Sequence, residues 1–102
     1  MSVNVMLDFE VNGLADEAQT VAVLHALTTF LREEERLEQH EVGVGRSVEN
    51  GRHRISGETD HPIAIARMAV WRPHFETSVR DRVHAIAPAA VATVNWRYPD
   101  GD

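Results

Sequence analysis

Asn50-Gly51, set between two runs that alternate in polarity, constrains this chain more than any other pair of residues. Both positions tolerate positive φ, and a two-residue loop leaves its flanking strands one register. Pairing Glu49 with Arg52 puts Val48 beside His53, Arg46 beside Ile55 and Val44 beside Gly57. Val44, Val48 and Ile55 then share a face, so the apolar pattern and the turn agree on a hairpin.

Ahead of it, Val3, Val5, Leu7, Phe9 and Val11 alternate with Asn4, Met6, Asp8 and Glu10, the period of a strand with one buried face. Asn12-Gly13 turns the chain. From about Asp16, residues Ala18, Val21, Leu24, Leu27 or Thr28, and Leu31 recur at helical spacing, predicting an amphipathic helix to about Leu37. Its end, Arg32-Glu33-Glu34-Glu35-Arg36, is charged all round, and its three Glu oppose the helix dipole. It is expected to run into solvent beyond the core.

Residues 61–71 fit two periods. Ala64, Met68, Trp71 and Phe75 have helical spacing, but Pro73 in a helix interior costs about 3 kcal/mol and is favourable in a first turn. The proline therefore predicts a strand over 63–71, apolar on both faces, and a helix from Pro73. Phe75, Val79, Val83 and Ile86 form its stripe to Ala87, and Pro88 stops it. A last strand over 90–98 places Ala92, Val94, Trp96 and Tyr98 on one face, before a polar tail at 99–102.

The order β-α-β-β-α-β predicts an α+β domain over residues 1–98. Its expected form is a ferredoxin-like two-layer sandwich, with an antiparallel sheet of four or five strands and two helices on one face. Segment 63–71 either continues strand 52–58 past a bend between Gly57 and Pro62 or adds a fifth strand.

A chain of 102 residues, 43% hydrophobic, suits one domain with one core. The absence of cysteine excludes disulfides, thiolate metal sites and a cysteine nucleophile. No apolar run approaches the ~20 residues of a spanning helix. The opening Met1-Ser2-Val3-Asn4 lacks the basic and apolar regions of a signal peptide, so a cytoplasmic, membrane-free protein is expected. The net charge of −6 disfavours nucleic acid as a partner. Residues 1–41 hold nine acids against two Arg, and residues 42–102 seven against eight.

Six His invite a metal hypothesis, but no pair has the i, i+4 spacing of a helical clamp and no HExxH occurs, so no metal or cofactor is expected. His84 follows Asp81 by three positions and Thr77 by seven, which makes His84 and Asp81 the only candidates for general-base chemistry. An ordinary solvated helix face has the same composition. Arg52-His53-Arg54 forms a small basic patch opposite in sign to the acidic stretch holding Glu33, Glu34, Glu35 and Glu38.

Val70-Trp71 at the expected strand end, followed at once by a helix containing Phe75, resembles the dimeric α+β barrel monooxygenase-like domains over a short stretch. The Asn, Trp and His that haem-degrading members use have no counterparts at comparable spacing here. A small-ligand binder or enzyme, the kind of protein the resemblance implies, is the alternative expectation, and the residues that would surround its pocket between sheet and helices are His84, Asp81 and Trp71.

Burial favours a different function. If 63–71 is a strand apolar on both faces, two helices cannot cover both, and association should cover the rest. A non-enzymatic interaction or regulatory domain is therefore expected, acting as a homodimer or as a subunit of a larger assembly, with Met68, Val70, Trp96 and Tyr98 at the interface. An acidic inhibitor of a basic toxin, of the immunity-protein kind, belongs to the same class.

Overall fold

The structure is a computed structural model and describes residues 2–34, 37 and 42–100. Its elements are β1 (Ser2–Leu14), α1 (Glu17–Glu33), β2 (Val42–Glu49), β3 (Arg52–Thr59), β4 (Ile63–Ala66), α2 (Met68–Ile86) and β5 (Val91–Arg97). All strand pairs are antiparallel, with β1 central between β3 and β5 and with β2 outside β3. This is the two-layer α+β sandwich that the element order predicts.

Glu49 pairs with Arg52, Val48 with His53, Arg46 with Ile55 and Val44 with Gly57, as the loop requires. Asn50 and Gly51 both take positive φ, at 53° and 75°. Strand β4 continues β3 along the same edge of β1: Glu58 pairs with Asp8, and after a break Ile63 pairs with Val5. Across the break, residues 59–62 stand against only Met6 and Leu7, which interrupts the ladder. Thr59, 2% exposed, repairs it. Its Oγ1 accepts from the Leu7 amide at 3.1 Å and donates to the Leu7 carbonyl at 3.3 Å, satisfying both buried backbone groups.

Both helices lie over the face bearing Val5, Leu7, Phe9 and Val11, all buried. Phe9 stands opposite Gly57, and its ring takes the space of the missing side chain: a Cβ on Gly57 would sit 2.4 Å from the ring.

Three sequence expectations change. Helix α1 buries Thr20, Val23, Leu27, Phe30 and Leu31, leaving Val21 exposed and Leu24 half-buried. The run Val21-Ala22-Val23-Leu24 is apolar throughout and gives no phase, which Phe30 sets by packing on Phe75. The helix also ends at Glu33, where successive acids oppose its dipole, and Glu34 is already extended. Helix α2 begins at Met68 instead of Pro73, so the strand over 63–71 is confined to Ile63–Ala66. Met68, Trp71, Phe75, Val79 and Val83 make one continuous buried stripe.

Candidate functional site

With both helices on one side, the other face of the sheet has no covering element among the described residues. The strand registers put Asp8 and Glu10 of β1, Arg52, Arg54, Ser56 and Glu58 of β3, and Asn95 and Arg97 of β5 on it. On β2 the same face carries Gly43, Gly45, Ser47 and Glu49. Gly43 and Gly45 raise no side chain above the sheet beside Glu58 and Ser56, and a depression of about 600 Å³ results. Its rim holds Asp8, Glu10, Glu58 and Asp60. A second hollow of about 460 Å³ adjoins the hairpin, lined by Ser47, Glu49, Asn50, Arg52 and Arg54.

Part of the charge is engaged within the face. Asn95 donates to Asp8 at 3.1 Å, Arg54 lies 3.5 Å from Glu10, and Asp60 pairs with His61 at 2.7 Å. Among the described residues, the side chains of Arg52 and Glu58 have no partner. They occupy opposite ends of the helix-free face of β3.

The expected interface residues are not brought together. Met68, 9% exposed, belongs to the core, because position 68 is helical and points at the sheet. Val70 is 65% exposed on the outer side of α2. Trp96 and Tyr98 lie on the helix side of the sheet. Trp96 Nε1 donates to Glu76 at 2.8 Å, and the Tyr98 hydroxyl accepts from Arg72 at 3.0 Å. The helix-free face is polar, not apolar, since only Ala64 and Ala66 remain there from segment 63–71. Val70-Trp71 lies in the first turn of α2 and not at a strand end, so the pattern behind the monooxygenase resemblance is absent.

Nor does a catalytic pair form. The His84 ring lies with Nε2 3.0 Å from the Ala90 carbonyl, a contact that makes this nitrogen the donor and clasps α2 to the approach of β5. Asp81 is exposed and its side chain has no partner among the described residues. Between sheet and helices, where a ligand pocket was expected, Phe30, Trp71, Phe75 and Trp96 pack with centroids 5.1–5.7 Å apart. They leave a notch of about 240 Å³ beside Glu34, Val70, Trp71 and His74. Glu34, half of the expected acidic patch that can be placed, is held by His74 at 3.1 Å, while Glu33 is exposed. Glu35 and Glu38 lie outside the described residues. Among the described residues no three His, Asp or Glu side chains gather as metal ligands, and no helix is long and apolar enough to cross a membrane.

Sequence reasoning placed Arg52 and Arg54 but missed Asp8, Glu10, Ser56 and Glu58 as their companions. The signal was in the hairpin register, which sets Gly43 beside Glu58 and Gly45 beside Ser56. The pairing of β1 with β3 was needed to add the other acids.

No family model matches the chain, and no curated protein sequence matches it. Among solved structures it is similar to the de novo designed protein Foldit4, with a TM-score of 0.65 and 15% identity over 92% of this chain and 96% of that one. At that identity the likeness speaks to the fold alone.

Proposed function

We propose that this domain is a non-enzymatic protein-interaction module, a homodimer or a subunit of a larger assembly, and that its contact surface is the helix-free face of the sheet. A polar outer face is by itself the ordinary state of a two-layer sandwich. One observation supports more than that: the charges on this face are sorted along β3, with Arg52 and Arg54 at the hairpin end and Glu58 at the other, beside a glycine-floored depression rimmed by acids. Sorted charge steers encounter and fixes register, and it rejects partners of the wrong sign. The dimer first expected from an uncovered apolar face thus rests on different physics, the pairing of opposite charges.

Site-specific photo-cross-linking tests this reading. A photoreactive residue at Ser56, in the middle of the face, is expected to capture protein in the cells that make this chain. The same residue at Val21, 46% exposed on α1, is the control and should capture none. Equal labelling from both positions, or none from either, would remove the face as a contact surface.

A further inference from the structure

We infer that the partner on this face is a second copy of the chain, packed face to face so that Arg52 of each copy meets Glu58 of the other. This rests on the interaction reading above and names its partner. On its helix-free side β3 reads Arg52, Arg54, Ser56, Glu58, a strand whose polarity runs from positive to negative. At about 3.3 Å per residue, Arg52 and Glu58 are roughly 20 Å apart, so they cannot meet within one copy. Among the described residues neither has another partner.

A two-fold axis lying between two such sheets and crossing β3 at Ile55 reverses the strand. Arg52 then faces Glu58 of the second copy and Arg54 faces Ser56, and each contact is made twice because the interface is isologous. The same operation carries β2 onto β2. Through the hairpin register it sets Ser47 over Gly45 and Glu49 over Gly43, so the hairpin end of one copy enters the glycine depression of the other, with Arg52, the cross-strand neighbour of Glu49, set between that carboxylate and the acids of the rim. Glu10 falls near Asn12 and not on another acid. Sheets packed face to face stay within about 30° of alignment, which holds this correspondence near the axis.

A purely basic partner fits worse. It would satisfy Asp8, Glu10 and Glu58 but be repelled by Arg52 and Arg54, whereas a second copy presents both signs in the complementary order.

Sedimentation equilibrium of the whole chain provides the test. The parent is expected to be a dimer at low salt that dissociates as salt is raised. Arg52→Glu and Glu58→Arg each create two like-charge contacts and should each weaken association at least about tenfold. Mixed in equal amounts they restore both pairs, one in the native sense and one with inverted sign, and a mixed dimer should form at near-parental affinity. A mixture no tighter than its components overturns the inference, as does a parent dimer insensitive to both changes.

A second measurement uses the absence of cysteine. In an otherwise native background, Ser56→Cys should link two copies through a short bismaleimide and Val21→Cys should not; the reverse pattern also overturns the inference. A parent monomeric at low salt, with Ser56 capturing some other protein, removes the second copy and keeps the interaction reading. A monomer with no capture removes both.

Discussion

Thr59 and Gly57 do opposite things two residues apart on one strand. Thr59 lends a hydroxyl where the ladder lacks a backbone partner, so Thr59→Val, nearly equal in volume, leaves the Leu7 amide and carbonyl buried and unsatisfied. A loss of about 2–6 kcal/mol is expected in urea unfolding, one desolvation penalty for each of the two groups. Gly57 matters for what it lacks. Gly57→Ala drives a methyl into the Phe9 ring and should cost about 1–3 kcal/mol by the same measurement, the range for overpacked cores. The sequence marked Gly57 as a possible bend and gave Thr59 no role. Both meanings depend on β1, nearly fifty positions away, and no local pattern encodes which residue of β1 arrives opposite.

At the level of elements, the hairpin was legible because turn chemistry and alternation are local and agree, whereas the start of α2 was not because two local rules conflict. Pro73 argued for a later start at about 3 kcal/mol. Burying Met68 and Trp71 on the helical stripe offsets that, at about 1.5–3 kcal/mol for each large side chain. The proline also sits close to the helix start, where its missing amide deprives only the Ala69 carbonyl. Two substitutions separate the assignments. Met68→Asp should abolish cooperative unfolding by placing a charge in the core, and Val70→Asp should shift stability by less than about 0.5 kcal/mol, as surface changes do; a strand over 63–71 predicts similar effects at both. The junction itself is strained. Arg67 caps α2 in the left-handed region at φ 58°, ψ 48°, with no side-chain cap. Arg67→Gly should therefore raise the thermal midpoint, by about 0.5–1 kcal/mol in stability.

Across the whole molecule, sandwich and helix side were readable from element order, but the character of the opposite face was not. That face depends on where segment 63–71 turns helical: with residues 68–71 in α2 the expected apolar surface is gone, and the charged residues of β1, β3 and β5 set its character. Arg52 and Arg54 were legible as a patch, yet their pairing logic required the β1–β3 register. The placement of β1 also bears on how the chain reaches this state. The first strand of the domain is the middle of the sheet, and its neighbours on both edges come from much later in the domain, Ile55 opposite Val11 and Val94 opposite Phe9. Contacts so distant in sequence raise the loop-closure entropy of the rate-limiting barrier, placing refolding in milliseconds or longer instead of microseconds. The two-residue hairpin carries no such cost and is suited to form early. In stopped-flow experiments, Gly51→Ala should slow refolding in proportion to the stability it removes, while Val94→Ala on β5 should act mainly by accelerating unfolding. Within the domain the earliest strand thus waits for the latest, and β1 keeps one edge unpaired until β5 has been made.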